Sequence, residues 1–553
     1  MLVALAAAFH RFTDMSIVGP TLHIPSGETK PLVFPFRGDA PSDSVVVFSF
    51  RIPKRRLTQP GDHLIVARVL NRGGQVGLDA RPDVRDWRNV LEAFSVGSGL
   101  LIVLVVALRR LGWVWPLVAP FAFGLAARLA YLFVTPPFTR THDVQGHLDY
   151  IEYLLAHHSL PRPYDGWSFY QPPLYYVAGA ALWGGLRSLG IESRDTALFG
   201  LQVQSLFYQL GFLAFSLRAV GLWMDQLPQT GFGSRLCSRP AFTALAAALL
   251  CLWPSAIIHS VRIGNDDLLY LFFGAGVYFA SRWWIGGQPR DFTRAALSGA
   301  FAMLTKSNGL LVFVLLGILL GVRFASDGER KLSAYLRWTL PGLALFALAT
   351  IATLGRAAID TASGRRPNLL VANANQLGDN LAVGNHAINY LWFDTKIFVT
   401  QPFFSPFDDA NGRQYFWNSA LKTGLFGEFA FDRGRLADLA AILSVLFLVI
   451  LTYVVAGIAN TARQAWRSEL PALLLIATLM ASLAALRMSI PMACSSDFRY
   501  VLPVLTPFAY LYARGLARFR ELGWNGLSST GAILGWSFAV LSGAFFCILT
   551  ALG

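Results

Sequence analysis

The sequence predicts an all-α, polytopic membrane protein with a small N-terminal β-domain, and three observations carry that prediction. Of the 553 residues, 54% are hydrophobic and only 14% charged, with a mean hydropathy of +0.48. A soluble globular chain carries about a quarter charged residues and cannot hide this much apolar surface. Apolar runs of bilayer length recur from about residue 95 to the C-terminus, which one large soluble core would not require. The basic residues behind the net charge of +14 stand in short clusters between alternate apolar runs. That is the positive-inside pattern of cytoplasmic loops, and it speaks against a nucleic-acid partner.

Residues 1–11, beginning MLVALAAAFH, are apolar but too short to span and read as a weak anchor or signal remnant. Residues 12–90 change character. Alternating runs such as Ser44–Ile52 and His63–Leu70, punctuated by Pro and Gly, predict a small β-rich domain. The apolar segments then follow at 95–108, 113–135, 198–222, 241–260, 267–285, 295–322, 338–356, 436–458, 470–488, 499–515 and 529–550. The run 295–322 is expected to break near Lys306, and with such breaks the prediction is about 11–13 transmembrane helices. The basic clusters are Arg109-Arg110, Arg235 and Arg239, Arg282 with Arg290 and Arg294, Arg323 to Arg337, Arg463 and Arg467, and Arg514 to Arg520. With these cytoplasmic, the 12–90 domain, the loops 136–197 and 357–435, and the turns at Asn265-Asp266 and Ser496–Tyr500 all fall on the external side. Residues 173–189 break this parity if counted as a span, so they are read as a helix lying in the interface. The four cysteines, Cys237, Cys251, Cys494 and Cys547, have neither metal nor redox spacing.

The chemistry-bearing residues sit at the ends of apolar runs. In Thr141–Tyr176, Asp143 stands at the mouth of an amphipathic stretch that Gln171-Pro172-Pro173 terminates. Asp143 suits a general base for an acceptor hydroxyl, and it equally suits a helix cap. His142 and His147 flank it, and a divalent cation on Asp143, His147 and Asp266 is left open, although the spacing is generic. His157-His158 reads as interfacial. Asn265-Asp266-Asp267 follows Arg262 at a helix junction, and capping accounts for only part of that group. Lys306 lies inside an apolar stretch, where an ammonium needs a cavity or an anion, or else must snorkel. Arg499 can take a phosphate bidentately with Asp497 orienting it, and an internal ion pair fits the same two residues. The loop 357–435 is rich in amides and aromatics, suited to a sugar-binding or lipid-covering flap and to any interfacial loop.

Together these residues carry a resemblance. Asp143-Val144-Gln145-Gly146-His147 with Tyr150-Ile151, Leu160-Pro161, and Tyr170-Gln171-Pro172-Pro173-Leu174-Tyr175-Tyr176 come first. Gly264-Asn265-Asp266, Leu304-Thr305-Lys306 and Asp497-Phe498-Arg499-Tyr500-Val501-Leu502-Pro503 complete it. The chain resembles the GT-C superfamily of integral-membrane glycosyltransferases, in the branch of dolichyl-phosphate-mannose–protein mannosyltransferases (glycosyltransferase family 39) and their bacterial relatives. The resemblance covers about residues 113–515. It implies a GT-C-like fold, a polyprenyl-phosphate sugar donor, and an inverting transfer to a glycan, lipid or protein acceptor. The site implied is external, at the periplasmic face of a bacterial inner membrane. Asp143 matches the family's first-loop acid, and Lys306 and Arg499 its donor-phosphate contacts. Arg262 joins those cations, and His147, Gln171, Tyr175, Asn265, Asp266 and Asp497 line or orient the site. The sequence departs from the protein mannosyltransferases in carrying one acid at 143 where they have an Asp-Glu pair. No cofactor is implied beyond the open question of a cation. The alternative is a transporter or flippase of lipid-linked sugars, which also places charge at membrane depth.

Overall fold

A computed structural model of the chain describes residues 32–33, 47–48, 69–72 and 75–78. From 105 onward it describes all residues except 107, 111, 164, 228–237, 327–331, 365–377, 432–433, 465 and 553. The expected anchor at 1–11, most of the β-domain expected at 12–90 and most of the run 95–108 lie outside the described residues. Within 12–90, β1 (Leu32–Val33) pairs antiparallel with β2 (Val47–Phe48), and β3 (Val69–Arg72) with β4 (Gln75–Leu78). The chain divides into one unit of residues 1–80 with 185–200 and another of 81–184 with 201–553. The site and the contacts described below lie in the second unit.

From residue 105 the described chain is helical. The first helices are α1 (Trp115–Val134), α2 (Val144–His157), α3 (Leu174–Ser188), α4 (Arg194–Asp225), α5 (Arg239–Cys251) and α6 (Pro254–His259). Next come α7 (Asp266–Gly286), α8 (Pro289–Thr305), α9 (Leu310–Ser326) and α10 (Leu332–Thr350). After short helices in the long loop follow α11 (Phe416–Phe426), α12 (Arg435–Gln464), α13 (Trp466–Ser489), α14 (Leu505–Glu521) and α15 (Asn525–Leu552). Among the described residues, seven helices are long and apolar enough to cross a membrane: α1, α4, α7, α9 with the turn before it, α12, α13 and α15.

That is fewer than the apolar runs suggest, for local reasons. The run 241–260 divides because Pro254 can start a helix but not continue one, so α5 stops at Cys251 and α6 restarts. The run 295–322 breaks at Lys306 into α8 and α9. The run 499–515 begins as a 3-10 turn, Phe498–Val504, and continues as the amphipathic α14, which packs against α5, α12 and α15.

Contacts sort the helix ends into two sets. Gln202 of α4 donates to the Thr135 carbonyl just beyond α1 (3.1 Å). The end of α1 therefore lies at the same end of the bundle as the early turns of α4 around Gln202. At the opposite end Arg239 pairs with Asp225, Arg282 with Asp291 (3.3 Å), and Arg514 with Glu469 (2.7 Å). There too Arg323 donates to the Trp283 carbonyl (2.7 Å). The basic clusters that are described therefore share one end of the bundle, and the site described next occupies the other.

Candidate active site

The break between α8 and α9 is built by the backbone. Lys306 is extended (φ −159°, ψ 145°), and Ser307–Gly309 form a single 3-10 turn. A Cβ on Gly309 would overlap the backbone of Ala302 and Met303, so the chain can double back this closely only through glycine. Asn265, directly before α7, makes no side-chain cap. Its Nδ2 donates instead to the Thr305 carbonyl (3.3 Å) and to Gln171 Oε1 (3.4 Å), tying the break to the loop before α3. Lys306 Nζ then meets Asp266 at 2.5 Å and lies 5.1 Å from the centre of the Tyr500 ring.

Asp143 holds the cap position of α2 without capping it. Its Oδ1 accepts from Trp167 Nε1 (3.2 Å) and its Oδ2 from Arg499 Nη2 (3.2 Å). Gly146 permits this arrangement, since a Cβ there would stand 2.9 Å from both Trp167 and Ser168. His147, on the next turn, shares its Nδ1 with Tyr176 Oη (3.0 Å), and the buried Tyr175 ring stands edge-on behind it at 6.1 Å. His158 ends α2 in the left-handed conformation, away from these residues in sequence and role.

Arg499 is the hub. Its guanidinium meets three carboxylates: Asp143 (3.2 Å), Glu428 (3.3 Å) and Asp497 (2.9 Å). Asp497 also accepts from the Arg499 backbone N–H (3.0 Å), and Tyr270 donates to the Arg499 carbonyl (2.5 Å), anchoring the turn to α7. Glu428 arrives from the end of α11. That helix is clamped where Trp253 Nε1 and Ser255 Oγ donate to the Gly424 carbonyl (2.6 and 2.7 Å) and Phe498 N donates to Thr423 Oγ1 (3.0 Å). Glu428 also meets Arg262 (3.5 Å) and His142 (3.9 Å).

The electrostatics follow from burial set against this pairing. Burial pushes the Asp143 carboxyl up, but Arg499, His147, Arg262 and His142 outweigh it and hold it well below the usual carboxylate range. Glu428 is lowered likewise, its burial overcome by Arg499, His142 and Arg262. Asp497 goes the other way: burial and the adjacent Glu428 charge push it up to about 7 against the pull of Arg499. Glu428 thus keeps its charge while Asp497 shares a proton near neutrality. Burial lowers His147 to about 4 and His259 to about 3, so both imidazoles are neutral at pH 7.

Asp143, His147, Arg262, Asp266, Arg499 and His259 line one cavity of about 20 Å³, room for about one water molecule. Of the residues singled out from the sequence, the first five share this wall. Lys306 joins through Asp266, Gln171 and Asn265 brace the helix break, Asp497 stands behind Arg499, and Tyr175 behind His147. Asp143, His147 and Asp266 share the wall, yet among the described residues no three His, Cys, Asp or Glu side chains converge as a metal-ligand group. Lys306 and Arg499 are not bare cations awaiting an anion; each is held by carboxylates. Glu428 and His259 were not singled out by sequence reasoning. The one available signal for Glu428 was a lone acid between Gly427 and the aromatic run Phe429-Ala430-Phe431, just before an apolar span.

No family model matches the sequence, and no curated protein does. Among solved structures, the chain is similar to ArnT from Cupriavidus metallidurans, in a crystal structure bound to undecaprenyl phosphate. The two are 14% identical, with 71% of this chain and 77% of that chain covered, at a TM-score of 0.32.

Proposed function

We propose that the chain is a membrane glycosyltransferase that moves a sugar from a polyprenyl-phosphate donor to an acceptor hydroxyl, with inversion at the anomeric carbon. The observation that supports this most directly is the meeting of Asp143, Arg262, Asp266, Lys306 and Arg499, from separate chain segments, at one end of a membrane bundle. By the charge pattern of the loops that end faces outward, in this proposal to the periplasmic side of a bacterial inner membrane.

The chemistry needs little more. A lipid phosphate is already a good leaving group, so no general acid is required. Arg499, Arg262 and Lys306 take the phosphate oxygens, exchanging carboxylate partners for phosphate ones. Asp143 accepts the acceptor's hydroxyl proton as the new C–O bond forms, and the anomeric C–O bond to phosphorus breaks to release the lipid phosphate. The exchange helps the base. Arg499 is the strongest of the cations that lower Asp143, so drawing it to the phosphate leaves a more basic carboxylate. The lipid tail enters sideways from the bilayer, which fits a site at helix ends.

The test is Asp143→Asn. Asn keeps the acceptor for Trp167 and removes no cap, because Asp143 makes none. The variant should insert normally, still bind the lipid-phosphate sugar, and transfer it about 10²–10⁴-fold more slowly. Transfer near the wild-type rate would remove Asp143 from the mechanism. Undiminished passage of the lipid-linked sugar across the membrane, with no transfer by the wild type, would make the protein a flippase.

A further inference from the structure

We infer that Glu428 is a positioning residue of an anion subsite and its proton-linked counter-ion. It holds Arg499 and Arg262 side by side at the cavity, and an entering phosphate takes over both guanidiniums while the carboxyls left behind bind a proton. The inference rests on the reading of this cavity as the place of a donor phosphate.

Geometry comes first. One oxygen, Glu428 Oε1, lies 3.3 Å from Arg499 Nη1 and 3.5 Å from Arg262 Nη2, on a side chain only 6% exposed. The next residue fixes the arrangement from the other side. The Phe429 ring stacks on His142 (5.5 Å between centroids) and carries the Arg262 guanidinium over its face (5.3 Å). Two guanidiniums this close repel unless an anion lies between them. Glu428 is that anion here, and a phosphate offers the same bridging geometry with more oxygens.

A second observation points to a ligand at the same place. Arg262 Nη1 is 3.1 Å from His259 Nδ1. A guanidinium has only donors, so Nδ1 accepts and the proton of this neutral ring sits on Nε2. That N–H is buried and makes no hydrogen bond among the described residues, and His259 lines the cavity. A buried donor without a partner is costly, and a phosphate oxygen is the acceptor that suits it. Arg499, Arg262 and His259 then form one cradle, with Glu428 as the group the phosphate displaces.

The proton follows from charge balance. The charged and titratable groups facing Glu428 are Arg499, Asp497 and Cys494 from the 493–504 turns, Arg262 and His259 from the segment around α6, and His142 with Asp143 from the entry to α2. A singly charged phosphodiester between the two arginines adds one negative charge beside Glu428 and Asp497 and draws the guanidiniums away from them. The pair must then take up a proton, so anion binding is favoured by lower pH.

The test uses the full-length protein in nanodiscs and a farnesyl methyl phosphodiester, singly charged across the pH range used. Calorimetry at pH 7.5 in two buffers of different ionisation enthalpy should show proton uptake by the wild type. Its affinity should fall between pH 6.5 and 8, by no more than about tenfold per pH unit. Glu428→Gln removes one competing charge and should bind the probe about tenfold more tightly at pH 8, with a flatter pH profile. A merely structural Glu428 would give the opposite result, weaker binding at every pH. Binding by the wild type without pH dependence or proton uptake overturns the inference and leaves the phosphate site standing. That measurement needs no variant. No binding at any pH overturns both.

Discussion

Where α14 finishes, Arg514 pairs with Glu469 and Glu521, and Arg518 with Glu521. Just before α14 begins, Arg499 meets Asp143, Glu428 and Asp497. Both ends of the bundle carry cations, but the partners differ in kind. At the first end the bonded residues lie 45, 7 and 3 positions apart, within adjoining helices. At the second, Arg499 and Asp143 are 356 positions apart, and a third segment supplies Glu428. Neighbouring helices need no more than local pairs to satisfy charges near a membrane surface. Three carboxylates on one buried guanidinium exceed what folding requires, because each buried ion costs several kcal/mol to desolvate. Such a concentration is what a site for a charged ligand needs.

The sharpest way to break this contrast is to remove each hub. Arg499→Ala strands two buried carboxylates, Glu428 and Asp497, and the half-buried Asp143, and should abolish transfer while destabilising the fold by about 3–5 kcal/mol. Arg499→Lys should restore the fold but only part of the turnover, since an ammonium cannot reproduce the planar fork. Arg514→Ala, at the other end, should lower the melting temperature comparably yet leave transfer per folded molecule unchanged. Equal losses of turnover in both would erase the distinction.

Lys306→Ala should cost about 1.5–3 kcal/mol of donor binding or turnover, a drop of about ten- to a hundredfold. Asp291→Asn, which disturbs the Arg282 and Arg294 pairs at the basic end, should leave donor kinetics alone. Steady-state kinetics with a lipid-phosphate sugar decide both.

A smaller effect is expected in the pH dependence of stability. Asp497 is pushed up to about 7 by burial and by Glu428. Between its unfolded value near 4 and that folded value, the native state binds more protons than the unfolded one. The contribution of Asp497 to stability therefore falls as pH rises through this window, by at most about 1.4 kcal/mol per pH unit. Thermal melts from pH 5 to 8 should show it as a difference between the wild type and Asp497→Asn, because the two buried neutral histidines, lowered to about 4 and 3, contribute the opposite slope below about pH 6.5. The smallest perturbation is labelling. In a cysteine-free background, Cys at Asp165 and Ala410 should react with an external reagent, and Cys at Gln226 and Asn525 should not; all four side chains are exposed. The reverse pattern would turn the site to face inward.

The helical, membrane-spanning architecture was legible because it depends on composition summed over a bilayer length, which neighbours in sequence supply. The break at Lys306 was legible for a related reason: Lys306-Ser307-Asn308-Gly309 interrupts an apolar run and needs no distant partner to do so. Most individual residues of the site were legible as types out of place, charges beside apolar helices. Asp143 shows the limit. From sequence it was as good a cap as a base; its contacts with Trp167 and Arg499 and the missing cap bond count against the cap, and the role of base is the one proposed.

By itself, then, the sequence determined the class of fold, the clustering of basic residues and the chemical character of the exceptional side chains. All of these are set by local composition. The tertiary structure decided that the end of α1 meets the early turns of α4 around Gln202, a contact that bears on the parity residues 173–189 left ambiguous. It also decided that Glu428 belongs to the site and that Lys306 and Arg499 are already paired. These are outcomes of which segments meet. A charge's energy in a low-dielectric interior depends on what lies within a few ångströms, and sequence distance carries no information about that.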